Sequence, residues 1–226
     1  MKRTFTTVTM SNAVAAAVPA QKTKIVYVGD PMCSTCWGMS NELLHLQQSF
    51  YGELDFEVWV GGLRPGGGDP WDNGFKTFLK SHWKSVNELT GQPFEYSFFD
   101  RETFSYDTEP ACRAVVAAKE IDVTKAFTFF EAIQRKFYVE NEDPCKEEFY
   151  ASICYELGIN YFSFLDLFRD EVIRKKAYRE FLKCREYGVI SFPTVFVIKE
   201  QTNHFIANGY MNFTTMSKKI EEVLKK

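Results

Sequence analysis

The stretch Lys24-Ile-Val-Tyr-Val-Gly-Asp-Pro-Met-Cys-Ser-Thr-Cys36 decides the fold. It begins with a short apolar run rich in β-branched residues and closed by Gly29-Asp30-Pro31, which is typical of a strand buried on both faces. Cys33 and Cys36 then form a C-x-x-C motif where this strand ends. We therefore predict a central strand with two thiols at its carboxyl end.

The residues after the motif predict a helix and a second strand. Apolar side chains recur at intervals of three and four, the stripe of a core-facing helix that Gly52 would end. They are Cys36, Met39, Leu43, Leu46 and Phe50. Residues 55–60 then alternate between apolar and polar side chains, as a strand does. A strand–helix–strand order in one sheet predicts a parallel pair.

A glycine-rich segment separates this unit from a helical block. Residues 61–70 hold five of the thirteen glycines and two of the eight prolines, which favours a hinge or linker. Helical periodicity follows in residues 73–89, 109–121, 124–138, 145–157, 162–168 and 171–187. Strand patterns return at 194–198 and 204–207 as an antiparallel hairpin, and an amphipathic helix ends the chain.

This order predicts an α/β fold in two parts. The strands and their flanking helices would form one domain from residues 22–63 and 187–226, and residues 64–186 would form an inserted all-helical domain. We find no internal repeat in the sequence.

Composition and charge exclude several classes of protein. The chain has 226 residues, of which 45% are apolar and 25% charged, so it can bury a core. A net charge of −3 leaves no basic surplus for binding nucleic acid. No apolar run approaches the roughly 20 residues that span a bilayer. We expect neither a nucleic-acid nor a membrane partner, and the oligomeric state stays open.

The first 21 residues form a separate segment. Lys2 and Arg3, followed by a stretch that ends at Ala20, loosely imitate a secretory signal. Polar residues interrupt its apolar part, which favours a disordered leader over a cleaved signal. Four further cysteines would invite mispairing in an oxidising compartment. We therefore expect a cytoplasmic protein, or a periplasmic one if the leader is cleaved.

The spacing of Cys33 and Cys36 favours redox chemistry. Residues one helical turn apart face the same way, so their sulfurs can bond and separate without large backbone movement. Cys33 lies where unpaired N–H groups and the helix dipole favour a thiolate, so it is the predicted nucleophile. Cys36 starts the apolar stripe and is the predicted resolving thiol. A structural disulfide would close too short a ring, and a zinc site lacks a second pair of ligands.

Three segments together resemble the DsbA family, and most of all its FrnE-like thiol-disulfide oxidoreductase and isomerase branch. They are residues 29–38 (GDPMCSTCWG), 109–115 (EPACRAV) and 188–194 (GVISFPT), and the likeness runs from Lys24 to the carboxyl terminus. The resemblance implies a thioredoxin-like fold with a helical insertion. It also implies that Pro193 follows a cis bond and lies beside Cys33, so that the backbone of Phe192 pairs with an extended substrate.

We predict from this a thiol-disulfide oxidoreductase or isomerase that acts on thiol- or disulfide-containing proteins or peptides. The expected catalytic residues are Cys33 and Cys36. The expected substrate contacts are Ser34, Thr35, Trp37, Phe192 and Pro193. We expect no bound cofactor and no metal, with glutathione as the candidate redox partner. The dipeptide Ser34-Thr35 departs from that of the strong oxidant DsbA, and it leaves the direction of the redox reaction open.

Two other classes remain as alternatives. One is a glutathione-dependent isomerase or transferase of the related kappa type, whose pattern usually has serine at the position of Cys33. The other is a non-catalytic binding protein whose C-x-x-C forms a stable disulfide. Asp30 and Glu57 flank the strand–helix junction and are candidates for relaying a proton to Cys36.

The remaining cysteines fall into two groups. Cys112, Cys154 and Cys184 lie on apolar helix faces and are expected to be buried and inert. Cys145 follows Asp143-Pro144, which predicts a more exposed thiol at a helix start with some reactivity of its own. The three histidines share no motif, so we assign none of them to catalysis.

Overall fold

In the part of the chain that the structure describes, the sheet has four strands and contains the predicted central strand. The computed structural model describes residues 22–225, so the predicted leader lies outside the described residues. The strands are β1 (Lys24–Gly29), β2 (Asp55–Val60), β3 (Thr194–Lys199) and β4 (Thr202–Asn208). Their order is β2-β1-β3-β4, with β1 parallel to β2 and antiparallel to β3. β3 and β4 form the predicted antiparallel hairpin.

The helices follow the predicted order. They are α1 (Ser34–Gly38), α2 (Ser40–Ser49), α3 (Asn73–Thr90), α4 (Glu109–Ile121), α5 (Ala126–Tyr138), α6 (Tyr150–Glu156), α7 (Tyr161–Arg169), α8 (Glu171–Glu186) and α9 (Phe213–Leu224). Short 3₁₀ turns cover Tyr96–Asp100, Val123–Lys125 and Glu147–Phe149. None of the described helices is long and apolar enough to cross a membrane.

Two helix predictions were wrong in detail. The helix after the C-x-x-C is two helices, α1 and α2, divided at Met39. The expected helix over 145–157 begins later, because its first turn is the 3₁₀ turn at Glu147–Phe149 and only residues 150–156 are α-helical. Cys145 therefore does not lie at the start of an α-helix.

The two faces of β1 pack against different parts of the protein. Ile25 and Tyr27 join a large core that includes the helical block, whereas Val26 and Val28 join a smaller cluster around Trp59 on the other face. Burial on both faces explains why this strand is almost wholly apolar. The sheet and the helical block share the large core, and the division at residues 63/64 and 186/187 stays a prediction.

An aromatic cluster forms the centre of the helical block. Its hub is Trp83, which is fully buried on α3 and contacts Phe98 and Phe99 at centroid distances of 5.0 and 4.8 Å. Tyr138 of α5 packs on the same indole at 5.0 Å. Edge-to-face and offset contacts of this kind add to the hydrophobic burial. The block is thus a rigid support for the helix that carries the cysteines.

Candidate active site

Cys33 lies at the carboxyl end of β1 and immediately precedes α1. Its backbone N–H donates to the carbonyl of Asp30 (3.0 Å), and its own carbonyl accepts from Trp37 (3.0 Å). The residue is 6% exposed, and its thiol lies 3.9 Å from the carbonyl oxygen of Phe192. Cys33 thus reaches solvent through a narrow opening beside Phe192.

Cys36 lies one helical turn further along α1 and is fully buried. Burial, followed by the neighbouring Cys33, raises the pKa of the Cys36 thiol well above its usual range. The Asp30 backbone and the Tyr27 hydroxyl oppose this rise in the pKa. Cys36 is therefore a protonated thiol in the resting protein, shielded from solvent in the way the apolar stripe predicts.

The segment before β3 lies against Cys33. The Phe192–Pro193 peptide bond is cis, as the family resemblance implies. The ring of Phe192 occupies space left by Gly61, where a Cβ atom would lie 2.0 Å from its Cε1. The Pro193 carbonyl accepts a hydrogen bond from Gly209 (2.8 Å). The end of β2 and the hairpin thus hold Phe192 at the thiol.

A groove of about 550 Å³ opens in front of Cys33. One wall, the redox wall, comes from the segments that flank the sheet and includes Met32, Cys33, Ser34, Thr35, Ser191 and Phe192. The opposite wall, the insert wall, comes from the glycine-rich segment, α3 and α8, and includes Leu63, Arg64, Phe78, Leu79, His82 and Arg185. Among residues 22–225, two arginines and a histidine line the groove, and no carboxylate does.

The insert wall contains residues that sequence reasoning missed. His82 contacts the redox wall directly, because its Nε2 lies 3.3 Å from the Thr35 hydroxyl. Phe78 and His82 stand four residues apart on α3 and stack. An exposed aromatic next to a histidine on a helix face was the available signal. Arg64 and Arg185 carried no local signal, since each comes to the groove only through the fold.

Trp37 does not line the groove. It is 7% exposed, stacks on Tyr138 of α5 at 6.2 Å, and donates from Nε1 to the carbonyl of Pro93 (2.9 Å). Because both partners belong to the helical block, Trp37 anchors α1 to that block. The expected substrate contact at Trp37 thus has no counterpart in this geometry.

Asp30 holds the loop before Cys33. Its buried carboxylate accepts from the backbone N–H groups of Met32 (2.8 Å) and Leu63 (2.6 Å) and from the Cys112 thiol (3.3 Å). Burial raises the pKa of this carboxyl group above its ordinary value. The Asp30 carboxylate therefore joins the loop before Cys33 to Leu63 of the insert wall. The other relay candidate, Glu57, is bound to Lys24 (2.7 Å).

The other cysteines differ in their surroundings. Cys112, Cys154 and Cys184 are buried as expected, and burial raises the pKa of each thiol. Cys145 is partly buried, and burial together with Asp143 raises its pKa to about 12. These surroundings disfavour the alternative that Cys145 is reactive, because its thiolate would face aspartates rather than a helix N-terminus. Within residues 22–225 no cluster of three or more potential ligands could hold a metal ion.

The fold and the paired cysteines define a thioredoxin-fold disulfide oxidoreductase. No family model matches the chain. The structure is similar to that of a candidate protein disulfide isomerase from Nitrosomonas europaea, with 31% identity over 91% of this chain and 98% of that chain and a TM-score of 0.84. It is also similar to oxidoreductase DsbA from Xylella fastidiosa, with 11% identity over 90% of this chain and 85% of that chain and a TM-score of 0.58.

A third solved structure is the cytosolic disulfide reductase DsbM from Pseudomonas aeruginosa. It is 24% identical over 89% of this chain and 98% of that chain, with a TM-score of 0.73, and the same protein is also known with GSH. The 31% identity to the Nitrosomonas europaea protein shows that the chain belongs to the same family of thioredoxin-fold proteins and is an enzyme of thiol-disulfide redox chemistry. Its fold is also that of DsbA. The FrnE-like branch stays a prediction.

Proposed function

We propose that the protein exchanges disulfides with proteins or peptides through Cys33, and that Cys36 resolves the mixed disulfide. The observation that carries this proposal is the unequal burial of the two sulfurs. Cys33 opens onto the groove beside Phe192, whereas Cys36 is fully buried one turn behind it. A substrate can therefore meet only the first thiol, and the second can react only with a disulfide formed on the first.

The exchange has two steps. The Cys33 thiolate attacks one sulfur of the substrate disulfide, so that a Cys33–substrate bond forms and the other sulfur leaves with the electron pair and is protonated. Cys36 then loses its proton and attacks Cys33, so that the intramolecular disulfide forms and the second substrate sulfur leaves and is protonated. The substrate gains two electrons and two protons, and the protein loses them. The reverse sequence oxidises a substrate.

The rim of the groove supports an extended peptide as substrate. Three apolar side chains at the rim are exposed, namely Leu63 (41%), Phe78 (57%) and Ile190 (88%). The backbone of Phe192, next to Cys33, is the proposed pairing edge for an extended chain. Ser34 and Thr35 complete this wall, and Pro193 positions Phe192. Exposed apolar groups around a reactive thiol suit partly unfolded proteins.

Glutathione is the proposed small-molecule redox partner. Its two carboxylates would face Arg64 and Arg185 in a groove to which the described part of the chain contributes no carboxylate. The relative that is known with GSH supports this choice. We also propose the cytosol as the compartment. The four cysteines outside the motif and the cytosolic relative support it.

Single-cysteine variants test the proposal. Cys36→Ala should form covalent adducts with an oxidised, partly unfolded protein, and these adducts should persist until a reductant is added, because the resolving thiol is absent. Cys33→Ala should trap almost nothing, since Cys36 is out of reach. Non-reducing gels after incubation measure both outcomes. Cys154→Ala, which removes a buried thiol far from the motif, is the matched control.

Three results would contradict the proposal. Equal trapping by Cys36→Ala and Cys33→Ala, or trapping by Cys33→Ala alone, would reverse the roles of the two thiols. Adducts with glutathione but with no protein would favour the kappa-type reading. A Cys33–Cys36 disulfide that stays oxidised in the wild-type protein in a glutathione buffer poised near −300 mV would favour a structural disulfide.

A further inference from the structure

Among the residues that the structure describes, the hydroxyl group of Tyr27 has no hydrogen-bond partner although it is fully buried. The ring lies on β1 and is held edge-on by Phe127 and Phe130 of α5 at centroid distances of 6.3 and 5.4 Å. A phenylalanine would fill the same apolar space without burying an unpaired polar atom. Because an unpaired buried hydroxyl lowers stability, its presence here calls for an explanation.

The backbone of β1 makes room for this hydroxyl. Gly29 lies two residues beyond Tyr27 on the same face of the strand. A Cβ atom on Gly29 would lie 2.3 Å from the Tyr27 hydroxyl oxygen. The hydroxyl thus occupies a niche at the carboxyl end of β1, the end that leads to Cys33 and α1.

Cys36 is the sulfur beside this niche. Of the ionisable groups that face the Tyr27 hydroxyl, Cys36 raises the pKa of this hydroxyl most, ahead of Cys33 and Asp30. In the resting protein the thiol is protonated and the hydroxyl makes no hydrogen bond. A thiolate at Cys36 would be a far better acceptor.

We propose that the Tyr27 hydroxyl donates a hydrogen bond to the Cys36 thiolate that forms while the mixed disulfide is resolved. The inference rests on the proposed function, because it assigns Tyr27 to the second step of the exchange. Tyr27 acts on the reacting sulfur without entering the covalent chemistry. Its hydroxyl is unpaired in the resting protein because its acceptor exists only during this step.

The proton balance follows from the burial of both groups. Burial raises the pKa of Tyr27 well above its usual value, so the phenol stays protonated and serves only as a donor. The proton that Cys36 loses passes to water, and an equivalent proton is taken up by the substrate sulfur that leaves. The Cys36–Cys33 bond forms as the Cys33–substrate bond breaks. Tyr27 lowers the free energy of the thiolate and leaves both resting redox forms unaffected.

Tyr27→Phe tests this role, because it removes only the hydroxyl. Reduced protein is mixed with oxidised glutathione, the reaction is stopped with acid, and mass spectrometry follows the Cys33–glutathione adduct with time. The lifetime of this adduct should rise about tenfold or more at neutral pH, as expected for losing a hydrogen bond to a charged group. In Tyr27→Phe, resolution of the adduct at the wild-type rate should also require a higher pH. Formation of the adduct by Cys33 should keep its wild-type rate.

Two controls separate this role from a structural one. The melting temperature of Tyr27→Phe should equal or exceed that of the wild type, since an unpaired buried hydroxyl is removed. Its dithiol–disulfide equilibrium in a glutathione buffer should be unchanged. Tyr150→Phe, which removes a buried hydroxyl that donates to the carbonyl of Pro144 in the helical block, should resolve the adduct like the wild type.

The outcomes are distinguishable. A wild-type adduct lifetime in Tyr27→Phe would overturn the inference and leave the proposed function intact. Equal slowing of adduct formation and resolution, with a lower melting temperature, would assign Tyr27 a structural role only. If the adduct of the wild type decays no faster than that of Cys36→Ala, Cys36 does not resolve it, and the proposed function itself fails.

Discussion

The two walls of the groove differ in origin and in chemistry. The redox wall is built from residues next to the C-x-x-C and from the segment before β3, and it presents a thiol, small hydroxyl side chains and a carbonyl oxygen. The insert wall comes from three separated segments and presents two arginines, a histidine and apolar side chains. On the proposed function, the reaction takes place at the redox wall, and the charged and apolar side chains of the insert wall contribute to the choice of substrate.

The two walls also depend on the chain in different ways. The two thiols are positioned by the end of one strand and a single helical turn, so a short sequence motif is enough to place them. Charge and apolar area on the facing wall depend on what has been inserted between β2 and β3.

The largest expected effect comes from displacing Phe192 in the redox wall. In Gly61→Ala the new methyl group would overlap the Phe192 ring, which must move away from Cys33. We expect the turnover of an oxidised protein substrate to fall about tenfold to hundredfold, because a displacement of about 1 Å can misalign reacting groups. The overpacking should also lower the free energy of unfolding by about 1–3 kcal/mol. Insulin reduction and urea unfolding measure these changes.

Gly68→Ala is the matched control for this change. Gly68 belongs to the same glycine-rich segment, and a Cβ there meets no atom within 4 Å. It should therefore retain the activity and stability of the wild type. Wild-type turnover in Gly61→Ala would mean that the position of Phe192 does not matter to the substrate.

A smaller effect is expected from weakening the positive charge of the insert wall. Arg185→Gln removes one of the two arginines that line the groove. The KM for oxidised glutathione should rise about twofold to fivefold with kcat unchanged, as expected for an exposed charge pair. The difference should shrink at high salt. Steady-state kinetics at two ionic strengths measures both.

Arg179→Gln supplies the comparison for Arg185. Both arginines lie on α8, but Arg179 lines a different cleft. A rise in KM of the same size in both variants would show that overall charge, rather than the groove, attracts glutathione.

The smallest expected effect on activity comes from a change in the helical block away from both walls. Burial raises the pKa of Glu131 on α5 to about 7, above its unfolded value. The folded state therefore favours the protonated form, and this stabilisation is complete at pH below about 4 and is lost as the pH rises through about 7. Glu131→Gln should raise the free energy of unfolding by about 1–3 kcal/mol at pH 8 and change it little at pH 4.

Urea unfolding at the two pH values measures this effect on Glu131→Gln. The exposed Glu222→Gln on α9 serves as the control. Disulfide exchange should be unchanged in both variants. A loss of exchange activity in Glu131→Gln would show that this part of the helical block also affects the reaction in the groove.

Local patterns were sufficient for the sheet and the thiol pair. The alternation in residues 55–60 and the apolar run of β1 predicted both strands with the bounds that the structure has. These signals are reliable because burial of a strand or helix face imposes a period on adjacent residues. The break at Met39 was hidden for the same reason, since the apolar stripe continues on both sides of it.

The sequence by itself determined the element order, the position of Cys33 at a strand end, and the burial of Cys36 on an apolar stripe. Only the tertiary structure decided which side chains face Cys33 across the groove, and that Tyr27 lies beside Cys36 rather than only in the core. His82 and Arg185 lie 46 and 149 residues after Cys36 in the chain, and Trp37 faces the helical block instead of the groove. Periodicity records which face of an element is buried, whereas the neighbour across that face depends on how distant segments pack.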